Sequence, residues 1–164
     1  RDPAGRPNLM GIGYVGFTCW QPPTVVLGIN TARYTGRVIR ETGEFVVGLP
    51  EPDHVLALDH CGAVSGADGD KFARTGFTPR PAAQVAAPLI GECAVNLECR
   101  LVQVVEVGSH DLYLGRVLQT HVKDEYLSGD RRLTPIILVS RRYQAAAEHL
   151  ADFGASYAGL AARS

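Results

Sequence analysis

The sequence contains few charged and few aromatic residues, and its charges nearly cancel. Charged residues make up 20% of the 164 residues, aromatic residues make up 7%, and the formal net charge is −1. Proteins that bind nucleic acid usually concentrate lysine and arginine in a patch or stripe. No such stripe with interleaved aromatic side chains occurs here, so we expect no nucleic-acid partner.

Long apolar runs are also absent. No run approaches the roughly 18 residues that a membrane-spanning helix needs. The segment from Arg1 to Gly5 does not form the apolar core of a signal peptide. We therefore expect a protein of the cytoplasm that has no membrane partner.

Metal-binding patterns are scarce. The cysteines include no C-x-x-C pair, which argues against a zinc ribbon and against a secreted disulfide framework. His54 and His60 are spaced so that they do not share one helix face. We expect reduced thiols and no metal site.

Small, apolar and turn-forming residues dominate instead. The chain has 18 glycines, 10 prolines and 46% hydrophobic residues, without a repeat or a linker. This composition is typical of a turn-rich globular protein, and we expect one domain over residues 1–164. The turn residues between Asp2 and Pro7 should connect two strands. We therefore expect a first strand upstream of residue 1.

Most of the predicted elements are strands. The clearest alternation runs over residues 94–101, where one face should be buried and the other, with Asn96 and Glu98, should be wet. The alternation of apolar and polar residues breaks at Val102, which indicates a β-bulge. The Gly108-Ser109 pair indicates a hairpin turn. In the partner strand, Leu112 and its even-numbered neighbours form the apolar face. The predicted strands cover residues 8–20, 24–29, 44–49, 94–107, 110–123 and 136–139.

Short helices should lie between these strands. We expect Thr35 to cap a helix that ends at Gly43, followed by a helix over residues 54–63 and a helical turn at 70–73. An alanine-rich helical tail is predicted for residues 143–152. The proline-rich stretch 79–88 should cross the surface without regular structure. Together these patterns predict a barrel of about six antiparallel strands with a few small helices.

The run from Gly11 to Gly16 matches the dinucleotide fingerprint G-x-G-x-x-G. That fingerprint works only between a strand and a helix of a βαβ unit. The following residues, through Pro22 and Pro23, cannot open a helix. We interpret the run as a glycine-rich strand against which a flat ligand could lie.

Residues 31–35 offer a candidate anion site. Free N–H groups at a helix start, two threonine hydroxyls and Arg33 suit a phosphate dianion, and Lys71 could reach the same anion. A simply capped helix start remains an alternative. His110, directly after the predicted turn, is either a surface residue or a catalytic one. Cys61 is expected in the core.

Several segments together resemble the flavin reductase-like family, in particular its flavoredoxin branch. They cover most of residues 7–125 in order and spacing. These segments are Asn8-Leu9-Met10, Trp20-x-Pro22-Pro23, Ala32-Arg33-Tyr34-Thr35, Gly43-Glu44-Phe45-Val46-Val47, Cys61-Gly62-x-x-Ser65-Gly66 with Asp70-Lys71-Phe72, and Gly108-Ser109-His110-Asp111.

The resemblance implies a mainly β fold with small helices: an antiparallel, FMN-binding split barrel of Greek-key type. It also implies a homodimer with FMN near the subunit interface. His110 would be the catalytic residue, placed near the nicotinamide. The implied cofactor-binding residues are Gly13, Tyr14, Val15, Gly16 and Phe17 along the ring, Asn30, Thr31, Arg33 and Thr35 at the phosphate, and Ser65, Lys71 and Phe72 around the pocket.

The implied activity is an NAD(P)H-dependent flavin oxidoreductase that passes hydride from NADH or NADPH to FMN, with an oxygenase or another protein as acceptor. Two alternatives stay open: a non-enzymatic electron carrier of the flavoredoxin type, and a flavoenzyme acting directly on an organic substrate. The chain departs from the family at Ala32, where a serine is usual, and around residues 136–147, where a Tyr-Gly pair is missing. These departures concern the phosphate site and the C-terminal wall of the pocket.

Overall fold

The computed structural model describes residues 1–146, in which antiparallel strands are the main regular structure. The helices within this range are short, and none is long and apolar enough to cross a membrane. The strands are β1 Val15–Trp20, β2 Pro23–Asn30, β3 Glu44–Leu49, β4 Pro79–Arg80, β5 Leu89–Ile90, β6 Val95–Glu106, β7 His110–Val122, β8 Ile136–Val139 and β9 Arg142–Ala145. The α-helices are α1 Tyr34–Thr42, α2 Val55–Ala63, α3 Lys71–Thr75 and α4 Asp124–Leu127.

The main sheet has five strands in the order β1-β2-β7-β6-β3, and every neighbouring pair is antiparallel. Two further pairs, β4 with β5 and β8 with β9, form separate two-stranded sheets. No helix follows the glycine run at residues 11–16, because β1 begins at Val15. The dinucleotide-binding interpretation is therefore excluded by the topology of this part of the chain.

The core lies on one face of this sheet, against α1. Its buried side chains come from alternate positions of each strand, as the period of two in a strand requires. They are Val25, Leu27 and Ile29 from β2, Ile39 from α1, Phe45 and Val47 from β3, Leu97 and Cys99 from β6, and Tyr113 from β7.

The β6–β7 hairpin confirms the predicted turn and bulge. Gly108 adopts φ +137°, which favours glycine, and the ladder shifts register between Leu101 and Gln103. The prediction that Leu112 and its even-numbered neighbours form the buried face of β7 is wrong. Tyr113 is 2% exposed, whereas Leu112 is 36% exposed. Tyr113 can be buried because its hydroxyl accepts a hydrogen bond from Arg40 Nε at 3.1 Å.

Most of the predicted wet face of residues 94–101 is buried as well: Ala94, Asn96 and Glu98 are buried, whereas Arg100 is exposed. Glu98 is fully buried because the connection after β4 crosses this face. The backbone N–H groups of Ala83, Gln84 and Val85 donate to its carboxylate at 2.8, 2.5 and 3.1 Å, and His121 Nε2 lies 2.5 Å from it. Hydrogen bonds to the buried carboxylate of Glu98 therefore hold the proline-rich connection against the sheet.

Two expectations about helices need correction. The N-cap of α1 is Arg33, not Thr35, because Asn30 Oδ1 accepts the N–H of Ala32 and turns the chain into the helix earlier. Residues 143–145 belong to β9 and pair with β8, so they form a hairpin instead of starting a helical tail. β8 therefore does not close the main sheet. The rest of the predicted tail, residues 147–152, lies outside the described residues.

The first predicted strand is shorter than expected. Only residues 15–20 of the interval 8–20 form a strand. The preceding segment instead approaches α2 so closely that a Cβ on Gly11 would lie 2.7 Å from the carbonyl oxygen of Leu58. Residues 8–14 therefore pass between the sheet and α2.

Candidate functional site

A cleft of about 460 Å³ opens where β2 ends and β7 begins. The ladder pairs Asn30 with His110 at this edge, so residues distant in sequence meet at one rim. Ligand pockets in proteins typically measure about 300–1,000 Å³. The cleft is lined by Met10, Gly11, Ile12, Gly13, Tyr14, Gly28, Ile29, Asn30, Ala32, Arg33 and His110.

One wall of the cleft is bare backbone. It contains three glycines, Gly11, Gly13 and Gly28. A Cβ on Gly28 would lie 3.0 Å from Tyr14 Cβ, and one on Gly13 would lie 3.2 Å from Leu138 Cδ2. Side chains at these positions would crowd their neighbours, so the close packing of this wall favours glycine.

The opposite end of the cleft is positively charged. Arg33 precedes α1, whose first turn contains no acidic residue. The first N–H groups of an α-helix have no acceptor within the helix, and its dipole favours an anion there. Among residues 1–146, no hydrogen bond engages the guanidinium of Arg33. This end therefore offers the cation of Arg33, and the first N–H groups of α1 follow it directly in the chain.

The turn that carries Arg33 is held by backbone contacts. Arg33 N–H donates to the carbonyl of Asn30 at 2.9 Å, and Asn30 Oδ1 accepts from Ala32 N–H at 3.0 Å. Thr31 N–H donates to the carbonyl of Ser109 at 3.2 Å, which joins this turn to the β6–β7 turn. These hydrogen bonds therefore hold the loop that carries Arg33 in place.

His110 stands at the other rim of the cleft. Its Nδ1 lies 3.0 Å from Ser109 Oγ, and its ring meets the Tyr14 ring edge-on at 5.4 Å between centroids. The contact with Ser109 limits rotation of the imidazole and leaves Nε2 available to a ligand. Tyr14 and His110 together form an aromatic rim.

Five of the residues named from the sequence therefore surround one cleft: Gly13, Tyr14, Asn30, Arg33 and His110. The other residues that the sequence analysis named do not line this cleft. Val15, Gly16 and Phe17 continue along β1, where Phe17 is 65% exposed. Thr31 is exposed on the turn, and Thr35 Oγ1 accepts from Asn8 Nδ2 at 2.9 Å.

Ser65, Lys71 and Phe72 have structural contacts behind the cleft. Ser65 Oγ accepts from Ala67 N–H, and Phe72 packs in a second core cluster with Leu9 and Cys61. Lys71 Nζ donates to the carbonyls of Leu9 and Cys61 at 2.7 and 2.8 Å. That these three side chains also touch the cofactor stays a prediction.

Burial changes the acidity of two of these groups. It lowers the pKa of Lys71, and the nearby charge of Arg33 contributes in the same direction. Burial raises the pKa of Cys61, so this thiol stays protonated at neutral pH. Cys61 is 3% exposed, which confirms its predicted place in the core.

A second cavity, of about 220 Å³, lies between the sheet and α2. It shares Met10, Ile12 and Ile29 with the cleft, and its walls are mostly apolar. Burial raises the pKa of Cys93 on its wall to about 12. Within residues 1–146 no group of three side chains could hold a metal ion.

Comparison with known proteins agrees with this fold. The model of the flavin reductase like domain family matches residues 2–147. The chain belongs to the flavin reductase-like family. This membership confirms the resemblance that the sequence motifs indicated.

Individual relatives place the chain within this family. Flavoredoxin of Desulfovibrio vulgaris (Miyazaki F) is 35% identical and superposes with a TM-score of 0.86 over 94% of this chain and 87% of its own. A protein named NADH:riboflavin 5'-phosphate oxidoreductase from Streptomyces pristinaespiralis is 31% identical over 75% of this chain and 67% of its own. A protein with a split barrel domain from Shewanella frigidimarina NCIMB 400, 21% identical, has a TM-score of 0.82 over 93% of this chain and 80% of its own. The predicted mainly β split-barrel fold of this flavin reductase-like chain is confirmed.

Sequence reasoning missed the side-chain network directly behind the cleft. Arg40 on α1 contacts Asp111 and Tyr113 on β7. No local pattern points to such a network, because its partners are 71 and 73 positions apart in the sequence.

Proposed function

We propose that this protein binds FMN in the cleft and catalyses the transfer of hydride from NADH or NADPH to it. The proposal is supported by one observation above all: a bare glycine wall and a free arginine at a helix N-terminus line the same cleft. A similar protein from Streptomyces pristinaespiralis carries the name of an NADH-dependent oxidoreductase of riboflavin 5'-phosphate, which is FMN. An oxygenase or another acceptor would then receive the electrons.

The residues of the cleft fit FMN chemically. A phosphate dianion needs a cation and N–H donors, which Arg33 and the start of α1 supply. A flat ring system needs a wall without side chains, which Gly13 and Gly28 supply. FMN, when bound, supplies the ring that accepts the hydride.

The protein contributes alignment to this reaction. Arg33 binds the phosphate and thereby sets how far the ring reaches along the cleft. Tyr14 covers the ring next to the glycine wall, and His110 Nε2 binds the nicotinamide end of the donor. Holding both reactants in a reactive geometry removes much of the entropic barrier to hydride transfer. No side chain needs to act as an acid or a base.

We further propose a twofold homodimer through the outer apolar face, defined as Val102, Val105, Val107 and Leu112. These side chains are 58%, 38%, 65% and 36% exposed, and Val105 pairs directly with Leu112 across the ladder. Contiguous exposed apolar patches are uncommon on monomers and often mark interfaces. A second copy of the chain would cover this face close to Gly28, which pairs with Leu112.

An electron carrier is the competing function. The similarity to flavoredoxin of Desulfovibrio vulgaris favours it, since that protein is 35% identical. The two functions differ in turnover. A reductase oxidises NADH or NADPH continuously when free FMN is in excess, whereas a carrier stops after its bound flavin is reduced. Steady-state nicotinamide oxidation with excess FMN therefore distinguishes them.

A further inference from the structure

Arg40 on α1 contacts two residues of β7, Asp111 and Tyr113. Its Nη2 donates to Asp111 Oδ2 at 2.7 Å, and its Nε donates to the Tyr113 hydroxyl at 3.1 Å. The guanidinium carbon also lies 5.3 Å from the centre of the Tyr113 ring. Asp111 is 6% exposed and Tyr113 is 2% exposed, so both partners are fixed in the fold.

The helix touches β7 at a second point one turn earlier. A Cβ on Gly36 would lie only 2.7 Å from the Tyr113 hydroxyl oxygen, so the helix backbone lies directly on this side chain. Residues four apart lie on the same face of a helix. Gly36 and Arg40 therefore hold α1 against β7 at two points, which fixes its distance from the strand and its direction.

This contact connects the two ends of the cleft. Arg33 is the N-cap of α1, at the phosphate end. Asp111 directly follows His110 in β7, and successive strand residues point to opposite faces. A shift of α1 relative to β7 would therefore change the distance between Arg33 and His110.

We infer that Arg40 is a positioning residue that sets the spacing between Arg33 and His110 for hydride transfer. It acts through α1 and β7 and touches neither FMN nor the nicotinamide. The inference rests on the proposed function. A ligand anchored by its phosphate at Arg33 has its ring placed by α1, so its alignment with His110 depends on Arg40. Riboflavin has no phosphate, so its alignment does not.

The test compares Arg40→Met with Arg37→Met. Both changes remove one arginine from α1, but Arg37 is exposed and packs over Tyr34, and within residues 1–146 its side chain forms no hydrogen bond or ion pair with β7. Arg40→Lys keeps a charge for Asp111 and should restore part of the effect. Tyr113→Phe removes only the hydroxyl that accepts from Arg40 Nε. This variant tests the same contact if Arg40→Met does not fold.

The measurement is the stopped-flow rate of flavin reduction at saturating NADH or NADPH, made once with FMN and once with riboflavin. Arg40→Met should slow the reduction of FMN by roughly tenfold, since small misplacements of reacting atoms cost rates of this order. The riboflavin rate should change by less than about twofold. Arg37→Met should leave the ratio of the two rates as in the wild type.

The outcomes separate the inference from the proposed function. Equal slowing of FMN and riboflavin, or an unchanged rate ratio in both Arg40→Met and Tyr113→Phe, would overturn the role of Arg40. Absence of reduction in the wild type with either nicotinamide would instead overturn the proposed function. A selective loss with FMN that Arg40→Lys partly restores would support both.

Discussion

Asn30 and His110 face each other across the ladder between β2 and β7. Asn30 supports the turn that presents Arg33, and His110 borders the same cleft from the other strand. The ladder between β2 and β7 therefore brings the turn that precedes Arg33 next to His110. This relationship joins the phosphate site to the proposed site of the nicotinamide.

Arg33→Ala should weaken the binding of FMN by roughly ten- to a hundredfold, the scale of a hydrogen bond to a charged group. Riboflavin is the control ligand because it lacks the phosphate, and its affinity should hardly change. Fluorescence titration of both flavins measures the effect. An equal loss of affinity for both would show that Arg33 acts through the fold and not through the phosphate.

His110→Ala should slow the reduction of bound FMN more than it weakens FMN binding. The histidine is placed to align the nicotinamide, and misalignment costs rate. Ser109→Ala should produce a smaller slowing, because the imidazole loses the hydroxyl at 3.0 Å that orients it. Stopped-flow reduction of pre-bound FMN isolates this step. Wild-type rates in His110→Ala at every NADH and NADPH concentration would favour the electron carrier.

Val105→Asp should convert the proposed dimer to a monomer, because a charge on the outer apolar face would be buried against the second copy. Leu127→Asp is the matched control, since Leu127 is 69% exposed on α4, outside that face. Light scattering at low micromolar concentration measures the mass. A wild-type monomer that binds FMN normally would contradict the dimer.

Glu98→Gln should destabilise the fold by about 1–3 kcal/mol at neutral pH, because an amide group cannot accept all the N–H groups that meet the buried carboxylate. Burial alone would raise the pKa of Glu98, but hydrogen bonds from Ala83, His121 and Gln84 together hold it below its ordinary value of 4.5. A carboxyl whose pKa is lowered by folding stabilises the protein above its unfolded pKa, and this contribution is lost as the pH falls through the folded value.

Thermal unfolding between neutral pH and pH below 4.5 tests this account of Glu98. The melting temperature of the wild type should fall more steeply with acid than that of Glu98→Gln. Glu41→Gln, which changes an exposed residue of α1, should follow the wild type. Parallel curves for Glu98→Gln and the wild type would show that the carboxylate does not stabilise the connection after β4.

Local signals in the sequence predicted the local features of the fold. Gly108 predicted the hairpin turn, the slip of parity at Val102 predicted the bulge, and Gly43 predicted the end of α1. Each of these depends on residues within a few positions along the chain. Short patterns also pointed to Arg33 at a helix start and to His110 after a turn, whereas the roles of both residues came from the family resemblance and stay predictions.

Features that depend on distant partners could not be predicted. The alternation predicted that Glu98 faces solvent, whereas the N–H groups of residues 83–85 bind its buried carboxylate. Tyr113 reversed the expected facing of β7 because Arg40, 73 positions away, satisfies its hydroxyl. The two backbone carbonyls that accept hydrogen bonds from the Lys71 ammonium group could not be predicted either, and a contact between Lys71 and the anion stays a prediction. Buried polar groups follow their partners, and the alternation of apolar residues contains no information about those partners.

Anaerobic mixing of the protein and stoichiometric FMN with NADH and, separately, NADPH tests directly whether the bound flavin accepts hydride from a nicotinamide. We expect that FMN binds, that at least one nicotinamide abolishes the absorbance of oxidised flavin, and that Arg33→Ala impairs binding whereas His110→Ala impairs reduction. Bound FMN that dithionite reduces, but that neither nicotinamide reduces, would contradict the proposed oxidoreductase.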